Sequence, residues 1–200
     1  MPKIAAPTVA EHRAQVQARL VAAAEKIMRS GDSDQLTAGA VSSAAGIARN
    51  SIYRYVDSID DLRALVVARH LPEWMTAVSS ALEREATPQG RVTAWVEANL
   101  RQAAASGHAW LMDAVRSLPD SAAVSASADA AHADLREPLA AAWRDLLGHD
   151  AARSRLATAI TFGIVETGFG QLDAGVPTDI VVAACCDAAL GMMRSPSTAG

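Results

Sequence analysis

The sequence predicts an all-α fold, and three observations carry that expectation. Half of the 200 residues are hydrophobic while aromatics make up only 4%, and alanine, the best helix former, supplies much of the apolar content. Apolar residues recur every three to four positions along most of the chain, and alternating runs of the β type are scarce. Glycine, proline, threonine and aspartate interrupt these periodic segments where helix ends would fall.

The first helix is expected over about 8–29, where Val16, Leu20, Ala24, Ile27 and Met28 form one apolar stripe. Gly31 supplies its stop, ahead of the polar run Asp32–Gln35. A short second helix starts at Thr37, a good N-cap, and runs through Val41 to Ala45. Gly46, which tolerates positive φ, ends it. A third helix is expected over 49–56. A fourth opens after Asp57, with Ser58 and Asp61 spaced as a capping box and Leu62, Leu65 and Val66 as its apolar face. Two short helices around a glycine turn, preceded by a longer helix, describe a helix-turn-helix. Ala44 and Ala45 let the two helices cross closely, and Ile47 plugs the space behind the turn.

Further helical segments are expected over 73–86, 89–106, 108–117, 121–147, 150–173 and 178–193. They are separated by Pro72, TPQG at 87–90, SLPD at 117–120, GHD at 148–150 and AGVPTD at 174–179. The piece 121–133 has few large apolar residues and is expected as a mobile helix or a loop. The division that follows is a disordered arm over 1–8, a helix-turn-helix domain over 9–70, a second helical domain over 71–193 and a flexible tail over 194–200.

Charge separates the two domains. Residues 1–70 carry nine Lys and Arg against seven Asp and Glu, net +2, whereas 71–200 carry nine against fifteen, net -6. The overall pI near 5.7 argues weakly against nucleic acid, but the split argues that the parts do different work. No apolar run approaches the ~20 residues of a membrane span, and the N-terminus lacks the apolar core of a signal peptide. A cytoplasmic protein with no membrane contact is expected.

Ala45–Val56 reads AGIARNSIYRYV, contains no acid and holds both tyrosines of the chain. On a helix over 49–56, Ile52 and Val56 share one face at i and i+4 and anchor it. Arg49, Asn50, Ser51, Tyr53, Arg54 and Tyr55 are left as guanidinium forks, amide, hydroxyl and phenols, the groups that bond phosphate oxygens and base edges.

Residues from about 13 to 70 resemble the DNA-binding domain of the TetR (tetracycline-repressor-like) transcriptional regulators, through AAAEKIMRSG, LTAGAVSSAAGI, SIYRYV and SIDDL. The resemblance implies a phosphate contact at Thr37, base reading by Arg49, Asn50 and Ser51, a phosphate contact by Tyr53, and further groove or backbone contacts by Arg54 and Tyr55. Three positions depart from the pattern: Ala48 replaces a capping Ser or Thr, Asn50 a common glycine, and Ile59 a phosphate-contacting lysine. Each lost phosphate contact should flatten the salt dependence of binding by about one log unit per log unit of salt.

The resemblance also implies a homodimer on palindromic double-stranded DNA, repressing until a small lipophilic effector enters the second domain. Dimerisation through the last two helices would use Ile160, Gly163, Ile164, Thr167, Gly168, Val181, Ala184 and Ala188. The glycines of GFG and its surroundings, each costing about 1 kcal/mol in a helix, would there permit close approach. The pocket would draw on Trp74, Trp95, His108, Trp110, Met112, Trp143 and Phe162, and at least two tryptophans should line it; as plain core residues the same aromatics would simply supply burial.

Catalytic and cofactor patterns are missing from the sequence. The five histidines have no His-x-x-x-His spacing, there is no Gly-x-Ser-x-Gly elbow, and no Lys-Ser/Thr follows the glycines. Neither a metal nor a cofactor is expected. Cys185 and Cys186 are adjacent, so a disulfide between them would be strained, and they are expected as small buried hydrophobes. The competing assignment is an all-helical ligand-binding protein or enzyme whose N-terminal domain is scaffold.

Overall fold

The structure, a computed structural model, describes residues 8–31, 35–118 and 135–192. The expected arm up to residue 7, the segment 121–133 and the tail over 194–200 lie outside the described residues. In chain order the helices are α1 (Val9–Arg29), α2 (Ala38–Ala45), a 3₁₀ helix (Arg49–Arg54), α3 (Ile59–Glu83), α4 (Pro88–Ser106), α5 (His108–Arg116), α6 (135–146), α7 (Ala151–Asp173) and α8 (Thr178–Gly191). They fall into two compact units, residues 1–70 with 110–124 and residues 71–109 with 125–200.

In the first unit, local chemistry sets the helix ends. Thr8 Oγ1 accepts from Glu11 N at 3.2 Å and Thr8 N donates to Glu11 Oε2 at 2.6 Å, a reciprocal capping box. Those hydrogen bonds, from the Thr8 backbone first, hold the Glu11 carboxyl below its usual pKa. Thr37 Oγ1 accepts from Ala40 N at 3.2 Å to start α2. Gly46, at φ 69°, stops it, and Ile47 N donates back to Ser42 O at 3.0 Å. Ser58 Oγ accepts from Asp61 N at 2.9 Å, but the Asp61 carboxylate reaches Asp57 N at 3.3 Å rather than closing a box on Ser58.

Two expectations about helix type change. The third helix is a six-residue 3₁₀ turn ending at Arg54, not an α-helix to Val56. It has no side-chain cap at Ala48, and a segment this short with Ile52 and Val56 both buried closes more tightly than α-helical spacing. Pro72 does not break the chain either: α3 runs through it. An internal proline costs about 3 kcal/mol, which the burial of Trp74, Val78 and Leu82 on the following turns offsets.

The first unit's core joins Leu20, Ala24, Val41, Ile52, Leu62 and Val66, with Trp110 and Ala114 from α5 packed on it. Trp110 sits under the Arg29 guanidinium, 4.4 Å from its ring centroid, and meets His70 edge-on at 5.3 Å. Glu25 gathers Arg29 at 3.0 Å, His70 at 3.2 Å and Arg69 at 3.5 Å, so the end of α1 is tied to the middle of α3.

In the second unit α4 packs on α7 and α8, which also pack on each other. Trp95, Leu100, Leu139, Trp143 and Ala189 are wholly or almost wholly buried. Each buried indole N–H has a protein partner: Trp74 donates to Asn99 Oδ1 at 2.9 Å, Trp95 to Leu135 O at 2.9 Å and Trp143 to Thr161 Oγ1 at 3.0 Å. A methyl group on Gly168 would stand 2.6 Å from Leu100 Cδ2 and 3.0 Å from Cys185 Sγ, so this glycine is required by α4–α7–α8 packing inside the unit. Gly163 and Gly170 have open space instead.

These packing differences are measurable as stability. Gly168→Ala should lower the melting temperature, whereas Gly170→Ala should raise stability by about 0.5–1 kcal/mol through helix propensity. Ser42 is 1% exposed and its hydroxyl has no partner among the described residues. Ser42→Ala should therefore stabilise the chain by about 1 kcal/mol in denaturant titrations.

Candidate nucleic-acid interface

The 3₁₀ helix is held by one side and presented by the other. Ile52 is fully buried in the first unit's core and Val56 nearly so. Tyr55 N and Val56 N both converge on Ile52 O, at 2.9 and 3.3 Å, and Ser51 N donates to Ala48 O at 2.8 Å. Arg49, Asn50, Tyr53 and Arg54 are exposed and Ser51 is half-buried. Thr37 is exposed at the start of α2, its oxygen already committed to Ala40 N.

The two tyrosines, equivalent in the sequence, separate here. Tyr53 is 59% exposed, too open to be a core residue. Tyr55 packs against the core, with the Arg13 guanidinium 6.0 Å from its ring centroid, so it is the buttress of the segment and Tyr53 its outward group. Ile59 likewise packs on the core's edge, which gives the departure from lysine there a structural role. Nothing in residue type alone separates the two phenols; their register against Ile52 does.

Charge is arranged to suit an anion. Among the described residues neither Arg49 nor Arg54 pairs with a carboxylate, whereas Arg29, Arg63 and Arg69 each do. The nearby acids are partly occupied: Asp60 binds Arg63, and Asp61 accepts from the Asp57 amide. The surface from Arg49 to Tyr55 thus keeps two uncommitted guanidinium groups with hydroxyl, amide and phenol donors beside them, suited to phosphate oxygens and base edges.

The residues assigned to a pocket are divided. Trp110 and Met112 fall in the first unit, where Trp110 is packed on the core; Trp74, Trp95, His108, Trp143 and Phe162 fall in the second. There His108 stacks on Phe169 at 4.1 Å, lies 6.4 Å from Trp74 and places Nδ1 3.3 Å from Asp173 Oδ2. Phe162 lies 4.8 Å from Trp95, with Arg136 4.7 Å from its centroid. These rings pack on one another, and neither of the two grooves described on this unit is lined by a tryptophan.

The eight residues assigned to dimerisation do come together. Ile160, Gly163, Ile164, Thr167, Gly168, Val181, Ala184 and Ala188 all line one groove of about 660 Å³ between α7 and α8. Its lining contains no charged residue, and Ile180, which the sequence reading did not single out, is 61% exposed along it. Cys185 also lines it; burial pushes its thiol pKa up and raises that of Cys186 to about 11, so both are protonated near neutrality.

Among the described residues no three His, Cys, Asp or Glu side chains converge as metal ligands would, and no helix is long and apolar enough to cross a membrane. No protein-family model and no curated protein matches the chain. Solved structures do. The TetR-family regulator SCO4454 from Streptomyces coelicolor superposes with a TM-score of 0.72 at 16% identity, over 94% of this chain and 96% of its own. PfmR, a TetR-family regulator from Thermus thermophilus, gives 0.70 at 17% identity, over 88% of this chain and all of its own. RolR, solved in complex with resorcinol, gives 0.53 at 22% identity, over 94% and 97%. The chain has the all-α fold of the TetR-family transcriptional regulators.

Proposed function

We propose that the chain is a homodimeric, sequence-specific DNA-binding transcriptional regulator, a repressor released from a palindromic operator by a small lipophilic effector. It acts in the cytoplasm, and it is not an enzyme. The observation that carries this reading is the 3₁₀ helix, buried through Ile52 while Arg49, Asn50, Tyr53 and Arg54 stand exposed, with no acid paired to either arginine among the described residues. The fold it shares with TetR-family regulators supports it. Thr37, Arg49, Asn50, Ser51, Tyr53, Arg54 and Tyr55 form the contact surface, with Tyr55 supporting from behind.

Dimerisation is proposed on the α7–α8 face. Leu156, Ile160 and Ile180 expose large apolar side chains there, 62%, 42% and 61% respectively, and a second copy would remove them from water. A dimer would double the DNA contacts, and reading successive major grooves needs two recognition segments about 34–36 Å apart, one helical turn. Support for a lipophilic effector comes from the aromatic interior of the second unit and from the likeness to RolR with its resorcinol.

Selection from random duplex DNA should recover a palindromic consensus; recovery of nothing above background at low salt would sink the reading. Ala184→Arg, on an exposed position of α8, should leave the helical content intact, convert the dimer to monomer in sedimentation velocity, and weaken operator binding at least about 100-fold.

A further inference from the structure

We infer that Arg49 clamps the DNA backbone and does not read a base, an assignment that rests on the DNA-binding reading above. The observation is where its side chain lies. A methyl group built on Gly39 would stand 3.9 Å from both Cδ and Nε of Arg49 and 4.0 Å from Thr37 Oγ1. Cδ and Nε of Arg49 therefore lie back over the first turn of α2 at Gly39, the residue there that has no side chain. Gly39 acquires a role by this: a side chain much beyond a methyl would crowd the arginine off the helix.

That location decides between the two kinds of contact. When a helix-turn-helix docks, the second helix faces base edges and the first crosses the sugar-phosphate backbone. A guanidinium carried on the first turn of α2 is on the backbone side. No acid occurs in α2, and Arg49 has no carboxylate partner among the described residues, so its charge is uncommitted. Thr37, on the same turn, adds a hydroxyl that can donate to a backbone phosphate while its lone pair serves Ala40 N. Base reading then rests on Asn50, Ser51 and Arg54, and the phosphate contact absent at Ile59 is compensated from the other end of the motif.

The test uses the full-length chain and its Arg49→Ala, Arg49→Lys and Arg54→Ala variants, each passed through selection from random duplex DNA. Affinity for the wild-type consensus is then followed from about 50 to 200 mM salt. Arg49→Ala should recover the wild-type consensus, weaken all sequences alike, and reduce the slope of log affinity against log salt by about 0.9 per subunit. Arg49→Lys should keep both consensus and slope, since a phosphate needs the charge more than the fork. Arg54→Ala should relax preference at a defined position in each half-site. Relaxed preference in either Arg49 variant, or an unchanged slope in Arg49→Ala, would overturn the assignment while leaving DNA binding intact. Failure of the wild-type chain to recover any consensus would overturn the DNA-binding reading itself, and this assignment with it.

Discussion

The burial of Ile52 is the contact on which the geometry of the proposed DNA-contacting segment depends. A six-residue 3₁₀ helix has too few hydrogen bonds to persist in water, and this one has no side-chain cap. Its orientation is set by one fully buried aliphatic side chain, with Val56 and Tyr55 beside it, against a core supplied by α1, α2 and α3. With that anchor in place, Asn50, Tyr53 and Arg54 are left exposed, and Arg49, also exposed, reaches back toward α2. Fully burying an isoleucine is worth about 2–3 kcal/mol, enough to hold a short segment whose own hydrogen bonds would not. The same anchoring explains why the left-handed turn at Gly46 matters: it fixes where the chain re-enters the core after α2.

Helix ends were legible because they are local. Thr8, Thr37, Thr87 and Asp150 each accept from an amide two or three residues on, and the residue type announces the contact. The eight α7 and α8 residues that the resemblance assigned to an interface line one groove, whose lining contains no charged side chain. What was not legible depends on partners distant in sequence. Pro72 reads as a breaker, and only the buried residues after it show why α3 continues. Trp110 sits in a segment that looks like the second domain, yet Arg29 and His70 hold it in the first unit. Tyr53 and Tyr55 differ only by the side of Ile52 they fall on.

Alanine-rich helices impose their own constraint on the second unit. Small side chains bring helix axes close, and at Gly168 even a methyl group has no room between Leu100 and Cys185. Large residues then carry the burial in a few places, which is why Trp95 and Trp143 are at or below 1% exposure. Their N–H groups are already bonded inside the protein. A lipophilic effector entering this unit would find no free indole donor there. It would have to be recognised by its shape and by groups freed when the helices shift. Its differential affinity for shifted and unshifted forms is then the whole of its leverage.

The charge distribution limits how the proposed DNA partner could be held. Residues 71–200, at net -6, offer phosphates no net attraction, and at physiological salt charges more than about 8 Å apart scarcely interact. Attraction has to come from cations within reach of the backbone, and in the recognition region only Arg49 and Arg54 are uncommitted among the described arginines of that segment. With Ile59 turned to the core, a single copy presents little charge for a duplex. In the proposed dimer two copies would double it without any new contact within each, so the proposed DNA binding would depend on the proposed pairing of copies.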